Sequence, residues 1–441
     1  MSLASYFRFE EYGTNMRTEV LAGLTTFMTM AYIIFVNPAI LSDAMGKDAI
    51  PSLVTATALA AGIATIIMAL YAKKPFALAP GMGLNAYFTY GVVLGMGYSW
   101  QVALAAVFVE GIIFILLTVT KLRTAVINAI PVSQKYAIGA GIGLFLTLIG
   151  LKAAGIVVYN PATLVSLGVE NFAKKEFWIA ILGLLIAAAM MVRKIPGALL
   201  VAILVSTAVA VVIGVAPPPE SLVALPTLDK TFLQLDFVGL LNVGAIGVVF
   251  AFFMVDFFDT LGTVSGLSAK AGFMRKDGSI PDSEKILMTD AFGTSFGALL
   301  GTSTVTTYIE SAAGIEEGGR TGMTALVVGI LFIVVGLFVS PIAAIIPAAA
   351  TAPALILVGF LMLTVIREID FKDLTEALPA FAVLVTIPFT YSIADGIGAG
   401  FLSYVVLKIL AGRWREIHPL MFALAIIFAA YFLYLGGLIN F

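Results

Sequence analysis

The chain has 441 residues, 61% hydrophobic and only 11% charged, with a mean hydropathy of +1.08 and a formal net charge of −2. This is the composition of a polytopic membrane protein. It has no cysteine, which excludes disulfides, thiolate metal sites and cysteine nucleophiles, and its single histidine, His418, lies in a charged patch beside Pro419, which disfavours zinc and serine-hydrolase chemistry.

The amino end, MSLASYFRFEEYGTNMRTEV, is polar and lacks the charged, apolar and small-residue order of a cleavable signal peptide, so it is expected to stay on the mature chain. Windows of about 20 residues then give apolar spans near 18–40, 53–71, 79–95, 99–120, 132–151, 177–192 and 196–215. Asn37-Pro38 is expected to break or end the first span. Glu110 stands alone in ALAAVFVEGIIFILL, where it either assists proton movement or bonds a neighbouring broken helix. A proline-rich connector, APPPESLVALPTLDKTFLQLD, leads to a second set near 240–263, 284–300, 303–318, 321–340, 351–366, 374–391 and 393–411. One further apolar segment covers 419–438.

With the amino end cytoplasmic, strict alternation places every Lys and Arg on the cytoplasmic side except Lys47, Lys152, Lys174, Lys175 and Lys230. Lys73, Lys74, Lys121, Arg123, Arg193, Lys194, Arg275, Lys276, Arg413 and Arg415 all obey the positive-inside rule. The cluster Lys270, Arg275, Lys276 and Lys285 is a topological signal of this kind and not a nucleic-acid surface.

Seven spans per half is an odd number, so two equivalent halves must be inserted upside down relative to each other, the plan of many secondary transporters. Ile130-Pro131 opens span five and Ile346-Pro347 precedes span twelve, a trace of the repeat. The third segment of each half, ALAPGMGLNAYFTYG and GTSTVTTYIESAAGI, is short and glycine-punctuated, and discontinuous segments at matching positions point to a midplane binding site. The run from Thr302 to Tyr308 is dominated by β-branched residues, which favours extended backbone. Such backbone must be buried in protein or line a cavity. The helix would restart near Glu310, placing that acid at a helix amino terminus. In the partner segment, Pro80-Gly81-Met82-Gly83 allows close backbone approach, and Asn85 is expected either to cap the second half-helix or to meet a ligand.

Asp256 and Asp259 in VVFAFFMVDFFDTLG, with Glu310, are acids in segments otherwise greasy enough to cross a bilayer, where each costs roughly 2.5–3.5 kcal/mol at a lipid-facing centre. They are expected to face a cavity. Asp256 and Asp259 share a helical face with Phe252 and Thr263. Two or three acids, an asparagine, threonines such as Thr307 and an aromatic, with no basic residue in the same segments, suit an anion badly. They suit a flat heterocycle rich in N–H donors, stacked on Phe252, together with a cation such as a proton.

The segments APGMGLNAYF, VDFFDTLGT and GTSTVTTYIESAAG closely resemble the AzgA-type purine permeases of the nucleobase-ascorbate superfamily, whose uracil member defines the UraA fold. The similarity runs from about Thr18 to Gly412. It implies an all-α polytopic membrane protein of 7+7 inverted spans, with short extended segments in spans 3 and 10 and an extra carboxyl-terminal segment. It further implies a core domain (1–130 and 236–345) moving against a gate (131–235 and 346–412), with 413–441 additional. Carried over by position, Asp256 and Glu310 match the acids that hold the base, and Asp259 and Asn85 match further polar positions of the purine subgroup. The uracil-type histidine is replaced here by Thr260, so uracil is a doubtful substrate. The expectation is a multi-pass transporter of the cell membrane, not an enzyme. It would import hypoxanthine, guanine or adenine by proton symport, with Glu310, Asp256 and Asp259 as coupling acids, no cofactor, no metal and no nucleic-acid partner; a homodimer is left open. The rival readings are a transporter or channel of the same fold for an anion or another small solute, disfavoured by Glu310, and an intramembrane aspartyl protease. The protease reading lacks its GxGD motif, and Asp256 and Asp259 lie on one helix.

Overall fold

The computed structural model describes residues 2–120, 129–241, 243–275 and 279–438. Lys121, Arg123 and Lys276, three of the charges used to orient the chain, lie outside them. In lipid a backbone must satisfy its own polar groups, so apolar windows become helices. The first span is a pair, α1 (Met16–Met30) and α2 (Ile33–Met45), and the second is α3 (Ile50–Ile67), prolonged by a wider turn to Ala72. The third is β1 (Leu78–Pro80) followed by α4 (Met82–Ala86) and a wide turn to Val93. Then come α5 (Trp100–Thr120), α6 (Val132–Ala153), the hairpin β2 (Val157–Asn160) and β3 (Leu164–Leu167), α7 (Lys175–Val192) and α8 (Ala198–Val212).

The second half repeats this order: α9 (Val243–Lys270), α10 (Ser283–Leu300), β4 (Val305–Thr307) with α11 (Ser311–Glu316), α12 (Gly322–Leu331), α13 (Ala348–Leu363), α14 (Leu374–Thr390) and α15 (Ile393–Leu410). Among the described residues, eight helical segments are long and apolar enough to cross a membrane, counting the paired helices of span one as one segment. The third and tenth spans fall short because a strand interrupts each.

Exchanging the halves maps the packing onto itself. Helix α5 packs on α10 as α12 packs on α3, α9 on α5 as α1 on α12, and α14 on α6 as α7 on α13. The two halves form the 7+7 inverted repeat, and α6 lies against its own counterpart α13. Gly143 and Gly359 make that crossing close: a Cβ added to either would collide with the carbonyl oxygen of the other.

Two local expectations change. Span one breaks at Ala31–Tyr32, not at Asn37-Pro38. Pro38 sits inside α2 and removes only its own N–H, while the buried Asn37 amide donates to Thr57 Oγ1 (2.7 Å) and Thr302 Oγ1 (2.8 Å), tying the helix sideways to spans two and ten. The extra segment is a helix, α16 (Pro419–Leu435), which runs back along α15. Phe428 meets Phe401 at 5.8 Å and Tyr431 donates to Asp395 Oδ1 at 3.5 Å, near the start of α15, while Phe428 also touches Phe250 of α9.

Beyond the carboxyl end of α15, Arg413 binds Asp373, the residue capping α14 (2.7 Å), and Glu416 (2.7 Å), while buried Lys408 binds Glu376 (2.9 Å) and Glu416 (2.8 Å). The Arg413 guanidinium pulls the carboxyls of Asp373 and Glu416 down to about 2. Because these carboxyls ionise more readily in the folded state, their contribution is complete above the usual carboxylate range and is lost as pH falls toward 2. Thermal melting of detergent-solubilised protein should therefore fall between pH 5 and pH 2.5, and Arg413→Ala should flatten that dependence. At the α6–α13 crossing, Gly143→Val should cost about 1–3 kcal/mol of stability through overpacking. Gly139→Val, where only Val365 approaches (3.9 Å), should melt close to wild type.

Candidate functional site

The site begins with a backbone problem. Two extended segments inside a bilayer leave amides that lipid cannot satisfy, and each here satisfies the other. Strands β1 and β4 pair antiparallel, Leu78 opposite Thr307 and Pro80 opposite Val305. The ladder is prolonged by Gly81 N donating to Thr304 O and Tyr308 N to Ala77 O, both at 2.9 Å. Side chains from the flanking helices hold both strands: Thr65 Oγ1 of α3 donates to Leu78 O (3.1 Å) and Thr294 Oγ1 of α10 to Val305 O (2.9 Å), at equivalent places in the two halves.

Asp290 of α10 is the main clamp. It accepts from the backbone N–H of Thr307 (2.8 Å), from Thr307 Oγ1 (2.7 Å) and from Thr260 Oγ1 (2.8 Å). Thr260 Oγ1 lies 2.8 Å from Thr306 Oγ1 and 3.4 Å from Asp256 Oδ1, so one hydroxyl joins α9, α10 and β4.

A cleft opens beside the ribbon, with a cavity volume of about 70 Å³. One wall is polar and comes from spans one, three, eight and ten: Tyr32, the backbone of Gly81 to Gly83, Asp259, Thr306, Thr307 and Glu310. The other is apolar: Ile142 of α6 with Val358 and Met362 of α13. Gly83 permits this approach, since a Cβ there would sit 2.5 Å from Ile142 Cγ2. Glu310 is half-buried immediately before α11, as the β-branched run ahead of it suggests, and accepts a hydrogen bond from Tyr32 Oη (2.7 Å). Asp259, also half-buried, faces it with no hydrogen-bond partner among the described residues, and no lysine or arginine lines the cleft.

The other expected residues lie behind this wall. Asp256 is fully buried and meets Thr260 and Glu110. Glu110, also fully buried, accepts from Thr304 Oγ1 (3.1 Å), which bonds it to the interrupted span ten. Asn85 does not cap a half-helix. The cap position of α4 is Gly81, and Asn85, within that helix, accepts from Ser303 Oγ while its Nδ2 is buried without a partner. Phe252 is buried edge-on against Tyr87, ring centroids 4.9 Å apart, and lines no part of the cleft. Two residues escaped the sequence reading. Asp290 is one more acid in an apolar span, so the signal that singled out Glu310 was present there too. Tyr32 carries no such signal, because its role comes from a helix break that nothing in AYIIF announces.

Residues 17–398 match the Permease family. The adenine permease AdeP of Escherichia coli is 44% identical over 97% of this chain and 95% of its own length. The guanine/hypoxanthine permease PbuG of Bacillus subtilis is 41% identical over 98% of this chain and 100% of its own length. Among solved structures, the transmembrane domain of the cyanobacterial bicarbonate transporter BicA superposes with a TM-score of 0.61 at 17% identity, covering 87% of this chain and 96% of that one, a likeness of fold. The chain is a transporter and not an enzyme, and it belongs to the Permease family, in the AzgA-type branch that its span-three, span-eight and span-ten motifs resemble.

Proposed function

We propose that this protein imports a purine nucleobase (hypoxanthine, guanine or adenine) by proton symport, with its amino end in the cytoplasm. The observation that carries the reading is the cleft itself. Two carboxylates and five hydroxyl-bearing side chains, Tyr32, Thr263, Thr306, Thr307 and Tyr308, line a slot with no basic residue, which matches the paired N–H groups of a neutral base and repels an anion. The relatives named as adenine and guanine/hypoxanthine permeases support the same substrate class. Bicarbonate, named for the structural neighbour, would meet Asp259 and Glu310 with no cation to offset them.

Within this reading Glu310 and Asp259 hold the base from the cleft wall and Thr307 lines it. Asp256, Asn85 and Phe252 shape the wall from behind. Glu310, Asp256 and Asp259 are the acids available to a coupling proton. The core is 1–130 with 236–345 and the gate 131–235 with 346–412. The two cleft walls belong to these different bodies, so a relative shift opens or seals the slot. A cavity of about 70 Å³ is far below the ~300 Å³ floor of ordinary ligand pockets, so the walls must part to admit a bicyclic base.

Glu310→Gln keeps the shape of the side chain and removes its charge. It should abolish uptake of labelled hypoxanthine while the protein remains folded in the membrane, and Asp256→Asn should impair uptake severely; wild-type uptake by Glu310→Gln would sink the assignment. Dissipating the pH gradient with a protonophore should collapse accumulation in cells, whereas accumulation that follows external sodium instead would overturn the proton part alone.

A further inference from the structure

Behind the cleft, Glu110 of α5 and Asp256 of α9 are both fully buried. Glu110 Oε2 accepts from Thr304, and Asp256 Oδ1 lies 3.4 Å from Thr260 Oγ1, whose single hydrogen goes to the closer Asp290. That leaves Glu110 Oε1 and Asp256 Oδ2, neither of which meets any N–H or O–H donor. What the two carboxyl groups meet is each other. The charged groups that act on the pair are also acids: Asp290 from α10 and, on the helix of Asp256 itself, Asp259. The strand β4 and the helix α4 present no ionisable side chain here, and the only one on the wide turn after α4 that is buried nearby is the Tyr87 phenol. Two carboxyls in hydrogen-bonding contact need a proton between them, because two anions at that distance in a dry interior repel without compensation.

We propose that Glu110 and Asp256 hold one proton between them and that this shared proton is the coupling ion of transport, stored apart from the base. This deepens the symport reading and rests on it. Of the acids available to a coupling proton it selects Asp256, and it adds Glu110 as the partner. The connection to the cleft is short. Thr304, bonded to Glu110, lies on the same extended segment as Thr306 and Thr307, and Thr260 bridges Asp256 to Thr306 on the cleft wall. The proton enters as a cation onto one of two carboxylates, forms an O–H on one oxygen that donates to the other, and leaves the same way with no other bond made or broken. When it leaves, the two anions separate and draw Thr304 and Thr260 with them, altering the wall that holds the base. Proton and base therefore favour each other's binding, and by reciprocity affinity for the base falls, by up to about tenfold per pH unit, once the pair deprotonates.

The test uses the full chain reconstituted in liposomes, with hypoxanthine as the probe. Glu110→Gln supplies a permanent amide donor to Asp256. It should bind hypoxanthine within about threefold of wild type and exchange labelled for unlabelled base across the membrane, yet lose proton-driven accumulation and the pH dependence of binding. Infrared spectroscopy of the wild-type protein at neutral pH should show a buried protonated carboxylic acid that disappears in Glu110→Gln. That readout needs no transport and stands even if the variant transports nothing. Accumulation by Glu110→Gln with its pH dependence intact, or a wild-type spectrum without the acid band, would overturn the shared proton. Sodium-dependent binding that is indifferent to pH would overturn it as well. If wild-type protein binds no hypoxanthine, the symport reading fails first, and the infrared band then reports on the carboxyl pair alone.

Discussion

The constraint on which the rest depends is the mutual pairing of two strands, three residues each, in the middle of the bundle. Extended backbone at membrane depth is tolerated only when its amides are satisfied, and the least costly partner for one interrupted span is the equivalent interruption in the inverted half. The antiparallel register of β1 and β4 follows from that inversion. So do the matched hydroxyl clamps, Thr65 on one strand and Thr294 on the other. Once the strands are paired, the residues flanking them are fixed relative to each other although more than two hundred positions separate them in the chain.

Around this symmetric frame the chemistry is one-sided. Four of the five acids, Glu310, Asp256, Asp259 and Asp290, belong to the second half, while the first half supplies the fifth, Glu110, with Tyr32, the glycine backbone of Gly81 to Gly83 and Asn85. Span one breaks where span eight runs through as the continuous α9. The break turns Tyr32 toward Glu310, and the unbroken helix presents Asp256, Asp259 and Thr260 from one turn. Symmetric packing builds the pocket and asymmetric side chains give it a polar wall facing an apolar one.

The buried polar groups also explain why the site needs so many threonines. Each hydroxyl can donate once and accept twice, so Thr260, Thr304 and Thr307 satisfy carboxylates, with Thr306 bonded to Thr260, without bringing in a compensating cation. A lysine or arginine would neutralise the acids more strongly and would also take up their capacity to accept other hydrogen bonds.

Much of this was legible in the residues. Hydropathy located the spans, and odd numbers per half implied inversion. A β-branched run in a membrane segment implied extended backbone that restarts as helix at Glu310, because rotamer crowding and unsatisfied amides are local effects. Lone acids in apolar spans marked the neighbourhood of the site by their cost alone, though Asp290, which carries the same signal, was missed. What only the tertiary structure decided was direction. Period and spacing put Asp256 and Asp259 on one helical face but cannot say that the cleft reaches Asp259 while Asp256 turns inward to Glu110. They put Phe252 near the acids but not that Tyr87 claims its ring, and they suggest a break at Asn37-Pro38 when cross-helix hydrogen bonds carry the helix through and it parts at Tyr32. The sequence by itself determined which groups the membrane would force together; which of them face the cleft and which face one another was settled by long-range packing, because a side chain's partner is chosen by helices that meet only after the fold is made.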